Sequence, residues 1–430
     1  MFPVGSRSRN RGRGFAFNRG AKVPPTFAFD FLRGSLDSRI TFTRASAGTN
    51  FNSAGALVTA ATDAPRFDYN PSTLIARGLL IEEARTNSIR NNTMVGAVVG
   101  AIGGAGSAPT NWSIPAAAGN LTTSEITAVG TENGISYIDW HAVTNGAGNQ
   151  VVVFESTTQI VAADTQTWTG SQYNKLSAGS LSNVTISNRV QYRTVAGANV
   201  ATSDTAFVPT SAGLATQRNI TTFTASGGTI ERVTSGLLLT ITGVADFTLR
   251  IGMPQLELGA FATSVISTST VAVTRAADIA SITGANFTSF WNATQGTIVA
   301  RGESFSTGTT PAIVSADDGT ANNRITLRRE ATPRGQYVVV TGGVTQVAID
   351  SASSSWPVST VKSVAGAYAL NDFAFAQSGT LIGTDTGGTL PTVTQIQIGI
   401  GAGSAAWNGW ISSLSYYPVA MPTLLRGLSA

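Results

Sequence analysis

The sequence has no cysteine, a single histidine and few charged residues. Its 430 residues contain only 12% Asp, Glu, Lys and Arg, but they include 46 glycines. The absence of cysteine excludes a disulfide framework and a thiolate metal site, so packing or subunit contacts must supply the stability. Sparse Glu and Lys disfavour helical domains. A Gly-, Thr- and Ser-rich chain of this length therefore predicts two or three β-sandwich domains.

Long apolar segments are also missing. The most apolar stretch, 94–106, has thirteen residues, fewer than the roughly 20 that cross a bilayer. We interpret it as a linker, and a membrane-active peptide is the alternative. The basic start of the chain lacks the apolar core and cleavage site of a signal peptide. We therefore expect no membrane span.

Residues 36–87 carry the clearest strand and turn signals. Ile40 and Phe42 alternate with threonines, and a turn at 52–55 precedes a strand at 56–59, which predicts a hairpin. A third short strand is predicted at 66–69. Two glutamates then lie between two arginines, which favours a structural ion-pair cluster over a catalytic carboxylate pair. Its predicted members are Arg77, Glu82, Glu83 and Arg85.

Three strings of the sequence carry a family resemblance. LDSRITFTRAS, APRFDYNPSTLIARGLLIEEARTN and MPQLELGAFATSVISTSTVAVTRAAD resemble a segment shared by bacteriophage virion fibre and spike proteins, where it introduces carbohydrate-binding-like and lectin-like β-sandwiches. The similarity extends over nearly the whole chain after residue 35. It implies a component on the external surface of the virion, on head, tail or baseplate, with a homotrimer or other homo-oligomer expected. The family has no shared catalytic residues.

The N-terminus concentrates the positive charge. The first 22 residues hold six basic residues and no acid, which leaves 21 basic against 23 acidic residues in the remainder. Such a segment cannot form a core, so we predict an arm that becomes ordered on a partner. The predicted anchoring residues are Arg7, Arg9, Arg11, Arg13, Phe15, Phe17 and Arg19.

Three partners suit this arm: an acidic pocket on another virion protein, packaged nucleic acid, or a lipid surface. We favour the virion protein over nucleic acid, because Phe15, Phe17, Phe27, Phe29 and Phe31 alternate and can dock as an added strand on a neighbouring sheet. A disordered, solubilising tail is the alternative.

The whole pattern predicts an all-β fold of tandem antiparallel β-sandwiches of jelly-roll type, preceded by an extended N-terminal anchoring segment. Hairpins are clearest where strands at 313–316 and 324–327, 337–341 and 344–347, and 373–376 and 380–382 flank turns. The predicted units are a basic arm at 1–35, a β-hairpin connector at 36–92, a carbohydrate-binding-module-like jelly roll at 93–262, a linker at 263–278 and a laminin-G or concanavalin-like sandwich at 279–430.

The linker also repeats an earlier sequence. Thr274-Arg275-Ala276-Ala277 echoes Thr43-Arg44-Ala45-Ser46. A duplicated domain is one explanation, and two similar ways of entering a sandwich is the other.

Catalytic signals are weak. Asp139 and His141 share one face of a predicted strand, but no nucleophile elbow accompanies them, so a surface or hydrogen-bonded strand histidine is favoured. Glycoside hydrolysis needs two carboxyl groups across a cleft, for which Glu132, Asp139 and Glu155 are the candidates. We expect neither enzymatic activity nor a cofactor.

A calcium site is a second possibility. Asp317 and Asp318, with Asn322 or Asn323, offer hard oxygen ligands in one loop, and Asp372 offers one from another. The same sequences form ordinary turns, and we favour that interpretation, with no metal bound.

Host-surface polysaccharide is the expected ligand. Sugars place C–H faces against aromatic rings, so tryptophans in polar loops are the candidates, namely Trp356 and Trp407 with the adjacent Asn408. A core or interface position is the alternative for both. Trp168 and Trp410 lie in strand patterns and are predicted core residues, while the sequence does not decide Trp112, Trp140 and Trp291.

Together these patterns favour a non-enzymatic virion fibre or spike that binds host glycans. The alternatives are a capsid decoration protein without a receptor role and a polysaccharide depolymerase.

Overall fold

The computed structural model describes residues 23–430. The predicted anchoring residues Arg7, Arg9, Arg11, Arg13, Phe15, Phe17 and Arg19 lie outside the described residues.

The regular secondary structure of residues 23–430 is almost wholly antiparallel β-strand, as the sequence predicts. Short alternating runs separated by glycine turns produce many strands and little helix. In chain order the strands are β1 Phe27–Asp30, β2 Thr41–Thr43, β3 Gly48–Phe51, β4 Leu57–Ala60, β5 Phe67–Tyr69, β6 Ala76–Ile81, β7 Arg85–Asn87, β8 Gly100–Ala101, β9 Leu121–Glu132, β10 Ile135–Asn145, β11 Gly148–Val153, β12 Ile160–Val161, β13 Thr167–Gly179, β14 Val184–Arg193, β15 Asn199–Phe207, β16 Arg218–Thr224, β17 Arg232–Ile241, β18 Val244–Leu258, β19 Val273–Arg275, β20 Ile279–Thr283, β21 Gln295–Ser304, β22 Ala312–Asp317, β23 Arg324–Arg329, β24 Gly335–Thr341, β25 Val344–Asp350, β26 Lys362–Ala369, β27 Asp372–Gln377, β28 Thr380–Asp385, β29 Gln395–Ile398 and β30 Gly409–Tyr417.

Four short helical segments complete the described structure. Two are α-helices and two are 3-10 helices, and each has only one or two buried side chains. No helix among residues 23–430 is long and apolar enough to cross a membrane. Their bounds are α1 Gly284–Thr288, α2 Leu425–Leu428, and the 3-10 helices Phe31–Arg33 and Leu214–Thr216.

The first sandwich, called here the outer sandwich, is formed by strands from both ends of the chain. One sheet has the order β28-β27-β26-β21-β30-β6-β5, with β1 also paired to β30, and the other has the order β2-β20-β29-β22-β23-β24-β25. Residues from both sheets share one apolar core, including Ile298 and Leu414 from the first and Val314 and Val339 from the second. The local hairpins β22–β23, β24–β25 and β27–β28 are confirmed.

The second sandwich, called here the inserted sandwich, lies between β7 and β19 in the sequence. Its sheets have the orders β16-β13-β18-β10-β9-β8 and β11-β17-β14-β15, with β12 paired to β17. Trp140 and Phe247 of one sheet pack with Val190 and Leu237 of the other in a second core.

Two small sheets connect the sandwiches. Strands β7 and β19 pair where the chain leaves and re-enters the outer sandwich. The hairpin β3–β4 packs Leu57 against Ile135, Tyr173 and Leu214 of the inserted sandwich, and Leu57 N donates to Asn133 O at 2.8 Å. The inserted sandwich is therefore held on two sides.

This topology corrects three sequence expectations. The segment 36–92 is not a separate connector, because β2, β5 and β6 belong to the sheets of the outer sandwich. The hairpin of this segment is β3–β4, whereas β2 pairs with the distant β20. The segment 263–278 is not a free linker, because it contributes β19 and several buried polar contacts to the connection.

The aromatic strand near the N-terminus also differs from its prediction. Phe27, Phe29 and Phe31 do form the alternating strand and turn that the sequence indicates, but they pack on their own chain. Strand β1 pairs with β30, and the Phe27 ring lies 4.9 Å from that of Phe290, between ring centroids. The expectation that these three residues dock on a sheet of another virion protein is wrong, because β30 offers them a pairing edge and apolar partners in the same molecule.

Candidate functional site

A buried ion-pair network, called here the junction cluster, fixes the connection between the sandwiches. It consists of Arg44, Arg66, Glu82, Arg275 and Asp278, all of which are at least 98% buried. Glu82 Oε2 lies 2.8 Å from Arg66 Nη1 and 2.7 Å from Arg275 Nη1, and Asp278 pairs with Arg44 and Arg66. Burial alone would raise the pKa of Glu82, but Arg275 and Arg66 outweigh it and lower this pKa to about 2.

The two echoed sequences meet in this cluster. Arg44 follows β2 and Asp278 precedes β20, two strands that pair directly. Arg275 reaches Glu82 from the second echo, and the Ala276 amide donates to Ser46 Oγ of the first at 2.9 Å. Arg44 and Arg275 thus each pair with an acid of the junction cluster. This favours the explanation that the chain enters the outer sandwich twice through similar sequences.

The predicted ion-pair cluster is only partly correct. Glu83 and Arg85 do pair, with Oε1 and Nε 2.6 Å apart. Glu82 instead binds Arg66 and Arg275, because it faces the opposite side of the chain from Glu83. Arg77 belongs to neither pair and lies over the ring of Trp410, 3.9 Å from its centroid.

A cleft of about 650 Å³ opens beside the junction cluster, between the two sandwiches. It is bounded by the β3–β4 and β5–β6 regions, by β13 and β16 of the inserted sandwich, and by loops of the outer sandwich. Its walls combine aromatic rings, two arginines, two carboxylates and several hydroxyl or amide groups. These residues are Asn50, Phe51, Asp68, Tyr69, Asn70, Ser72, Arg77, Glu82, Tyr173, Thr216, Arg218, Thr222, Phe261, Thr263, Ser264, Phe305, Thr307, Ser359 and Trp410.

Trp410 organises one wall of the cleft. Its indole Nε1 donates to Asp68 Oδ2 at 2.8 Å, and its ring packs edge-on against Phe305 at a centroid distance of 4.6 Å. Asp68 Oδ1 accepts from the Phe51 amide at 2.6 Å. The indole plane is therefore fixed, and it supports the guanidinium of Arg77 by a cation–π contact.

Two carboxyl groups near this wall have raised pKa values. Burial raises the pKa of Asp68 to about 6, although hydrogen bonds from Phe51 and Trp410 oppose the change. Burial likewise raises the pKa of Glu303, which Arg77 opposes. Both carboxyl groups therefore lose their protons at a higher pH than ordinary carboxyl groups do.

Arg218 lies in the opposite wall. Its Nη1 donates to Thr263 O at 2.7 Å and its Nη2 donates to Ser171 Oγ at 2.9 Å. The guanidinium also lies 5.7 Å from the ring centroid of Tyr173. Arg218 is thus held in place by the protein and adds positive charge to the cleft.

The predicted glycan-binding tryptophans are not exposed, so this prediction is wrong. Trp356 and Trp407 are fully buried, with ring centroids 5.4 Å apart. Their indole groups donate to the carbonyls of Thr360 and Trp410. Asn408 is buried too, and its Nδ2 donates to Glu83 Oε2 at 3.0 Å. The glycines and serines that flank these tryptophans suggested exposed loops. The loops instead fold over the core, so their tryptophan side chains are buried.

The other tryptophans follow the core pattern more closely. Trp168 and Trp410 are buried as predicted, although Trp410 also contributes to the cleft. Of the undecided residues, Trp112 and Trp140 are buried, and Trp291 is half-buried among aromatic rings.

The predicted catalytic candidates are each engaged elsewhere. His141 lies between Glu125 and Asp246, with both nitrogen–oxygen distances 2.9 Å. Asp139 makes an ion pair with Arg250 instead of orienting His141. Glu132 pairs with Lys175 and Arg250, and Glu155 pairs with Arg90. None of these groups forms a carboxylate pair across the cleft.

The predicted calcium ligands serve as turn acceptors. Asp317 Oδ1 accepts from Gly319 N at 3.0 Å and from Gln395 Nε2 at 2.8 Å. Asp318 accepts from Thr320 and Asn323 in the same turn. Asp372 lies in β27, in the other sheet of the outer sandwich. Residues 23–430 contain no group of three or more His, Asp or Glu side chains placed to hold a metal ion.

Comparisons with known proteins find similarity at the level of solved structures. No protein-family model and no curated protein matches the chain. The Ruminococcus gnavus IT-sialidase CBM40 domain bound to α2,3-sialyllactose is 16% identical, covers 34% of this chain and 88% of its own, and has a TM-score of 0.29. The leech intramolecular trans-sialidase gives the same identity, coverage of this chain and TM-score, over 24% of its own length. The heptameric pentraxin of Limulus polyphemus is 18% identical over 30% of this chain and 66% of its own, with a TM-score of 0.23. Similarity at these TM-scores does not identify a ligand or an activity.

The residues of the cleft were not found by sequence reasoning. The string APRFDYNPSTLIARGLL contains Asp68, Tyr69 and Arg77, but its charges pointed only to an ion-pair cluster. Phe261 and Phe305 stand alone in loops and give no pattern. Asp68 and Arg77 lie on the paired strands β5 and β6, and both contact Trp410. Their spacing in the sequence is the signal that could have placed them in one site.

Proposed function

We propose that this protein is a non-enzymatic glycan-binding protein whose ligand occupies the cleft between the two sandwiches. The observation that carries the proposal is the composition of that cleft. Half-buried rings of Tyr69, Phe261 and Phe305 stand beside hydroxyl, amide and guanidinium groups in a volume of about 650 Å³. Sugars need this combination, because their C–H faces lie on aromatic rings while their hydroxyls need donors and acceptors.

The rigid surroundings of the cleft support the same proposal. The junction cluster lies behind it, and the β3–β4 hairpin fixes its floor against the inserted sandwich. A preformed site loses little entropy when a flexible ligand binds. The two acids that line the cleft are engaged by the protein itself, Asp68 by Phe51 and Trp410, and Glu82 by Arg66, Arg275 and Ser264.

A binding assay tests this function. Isothermal titration against a panel of oligosaccharides should show binding at micromolar to millimolar concentrations, and a Phe261→Ala, Phe305→Ala double variant should weaken it by roughly tenfold or more. Phe207→Ala removes a half-buried phenylalanine outside the cleft and should leave binding unchanged. Equal weakening by both variants would point to general loss of structure. Release of reducing ends during the assay would instead support a depolymerase.

We further propose that the protein is a fibre or spike on the outside of a bacteriophage particle, attached through its basic N-terminal segment. The resemblance of three sequence strings to phage fibre and spike proteins supports this role. Many copies on one particle would convert weak single contacts into strong attachment. Antibody labelling of intact particles should place the chain on their surface. Particles that lack it should adsorb poorly but stay intact, whereas loss of particle integrity with normal adsorption would favour a decoration protein.

A further inference from the structure

Arg77 is the cation of the cleft whose donors are least engaged. It lies on β6, is half-buried, and makes neither an ion pair nor a side-chain hydrogen bond with any residue in 23–430. Its one described polar contact is the cation–π stacking on Trp410 at 3.9 Å. A guanidinium that stacks by its face keeps the N–H groups of its edge available for another partner.

Neighbouring charges do not satisfy this edge. Both oxygens of Asp68 already accept hydrogen bonds, from Phe51 and Trp410. Glu82 is neutralised by Arg66 and Arg275 in the junction cluster. The half-buried Glu303 is the remaining acid close to Arg77, and no hydrogen bond or ion pair joins the two.

The opposite wall of the cleft adds the positive charge of Arg218, whose hydrogen bonds are made to the protein. Arg218 is fixed by Thr263 and Ser171, so its charge stays in the cleft whether or not a ligand is bound. A ligand between the walls would therefore meet a fixed positive charge on one side and a guanidinium edge with free donors on the other. Carboxylates match such an edge because their two oxygens can accept two parallel N–H bonds.

Building on the proposed glycan-binding function, we infer that the cleft selects saccharides that carry a carboxylate, and that Arg77 is the residue that contacts this carboxylate. Aromatic rings provide the contact with the sugar face in acidic and neutral saccharides alike. Arg77 supplies the discrimination between them. The sugar class would be uronic or sialic acids, which share the carboxylate and differ in the ring that bears it.

Matched ligand pairs test the inference. Titrations would use trigalacturonate with its carboxyl-reduced neutral counterpart, and sialyllactose with lactose, at low salt. The acidic member of at least one pair should bind roughly 10- to 100-fold more tightly than its neutral partner, as expected for charged hydrogen bonds. Raising the salt concentration should weaken only the acidic ligand. The pair that responds identifies the sugar class.

Variants then locate the contact. Arg77→Gln should abolish the preference, so that the acidic and neutral members of a pair bind with similar affinity, and Arg77→Lys should retain part of the preference. Arg301→Gln removes an exposed arginine of β21 outside the cleft and is the matched control. Thermal unfolding shows whether each variant is folded. If Arg77→Gln does not fold, the salt dependence and ligand pairs of the unmodified protein still decide the charge preference, and Arg77→Lys decides the contact.

The outcomes distinguish failure of the carboxylate inference from failure of the glycan-binding function. If neutral and acidic ligands bind equally, or if the preference survives Arg77→Gln, the inference is wrong and the glycan-binding function stands. If no member of either pair binds at millimolar concentration, the inference is wrong, and titration against the wider oligosaccharide panel decides the glycan-binding function.

Discussion

At the scale of single residues, Glu82 shows how strongly a buried charge depends on its partners. Its carboxylate has almost no solvent access and contacts two arginines and Ser264. Removing one member of a buried ion pair leaves an uncompensated charge, which is costlier than losing an exposed pair. Glu82 thus stabilises the protein both by its own hydrogen bonds and by compensating the buried charges of Arg66 and Arg275.

Replacing Glu82 by Gln should therefore destabilise the protein by about 3–5 kcal/mol. Arg275 would keep its charge without a counter-ion in a buried environment, and Arg66 would be left to share Asp278 with Arg44. Urea denaturation followed by circular dichroism measures the change. Glu83→Gln is the control, because the partly exposed pair with Arg85 should be worth less than about 1 kcal/mol. Similar losses in both variants would show that burial of the junction cluster does not matter.

Asp68 should give stability an unusual dependence on pH. Its pKa of about 6 in the folded protein lies above the unfolded value of 3.8, so the folded state holds the proton more tightly. Stability from this group falls as pH rises through 6, a change of about 1 kcal/mol between pH 5 and pH 7. Urea midpoints at the two pH values should show this change relative to Asp68→Asn, which cannot titrate. Identical pH profiles for both proteins would contradict it.

Trp407 should matter for folding and not for ligand contact. Its ring packs on Trp356 in the outer core, so Trp407→Ala should cost about 3–5 kcal/mol through the cavity that remains. Trp407→Phe should fold and bind glycans normally. A loss of binding by the folded Trp407→Phe variant would restore the sequence-based view of this residue as a ligand contact.

Sequence reasoning at this scale did not find the positions of the cleft residues. It chose Trp356 and Trp407 as ligand contacts because their neighbours are Gly, Ser and Asn, and both are buried. Burial of a loop depends on which distant strands cover it, and composition carries no such information. The same limit applies to Glu82, whose partners are 16 residues before it and 193 and 196 residues after it in the chain.

At the scale of elements, β1 is the clearest case of a strand with a partner far along the chain. Its residues Phe27 and Phe29 are buried beside Tyr416 and Phe290, and all four strand positions pair with β30. The strand ends at a 3-10 turn closed by Gly34, whose φ of 73° suits glycine. Strand β1 thus completes the outer sandwich.

A chain that begins at Phe31 should therefore be less stable than one that begins at Val23. Loss of two buried phenylalanines costs roughly 3–6 kcal/mol, before the lost strand pairing is counted. The chain that begins at Val23 is the matched comparison, because it keeps all four positions of β1. Differential scanning calorimetry of both chains makes the comparison. Equal melting temperatures would mean that β1 contributes nothing to the core.

Local pairing was predictable and distant pairing was not. Hairpins β22–β23, β24–β25 and β27–β28 follow from alternation around turn residues, because both strands and the turn fall within a short window. The pairings β2–β20 and β6–β30 join strands more than two hundred residues apart, and many strands have suitable apolar patterns. The echo of Arg44 and Arg275 was a correct sign that two entries resemble each other.

At the scale of the whole molecule, the described chain is one sandwich inserted into another. Strands β7 and β19, the β3–β4 hairpin and the junction cluster all join the two. The connection buries charged groups as well as apolar side chains, so separating the sandwiches would expose both. We therefore treat them as a single cooperative unit.

Calorimetry should accordingly show one unfolding transition for the unmodified protein. Glu82→Gln weakens the connection while leaving both apolar cores intact, so it should split the transition into two. Coincidence of calorimetric and van't Hoff enthalpies checks the first statement. Two transitions in the unmodified protein would show that the sandwiches unfold independently.

Because one sandwich is inserted into the other, the ribosome completes the inserted sandwich before the outer one. Strand β6 leaves the ribosome 328 residues before Gly409 of its partner β30, an interval on the order of 20–60 s at usual translation rates. The inserted sandwich is complete in the nascent chain well before then. Strand β1 also pairs with β30, so the side chains of Phe27 and Phe29 lack this partner until β30 has been synthesised. Nascent chains halted before β30 should therefore recruit chaperones or aggregate, and release of the last strand should end that vulnerability.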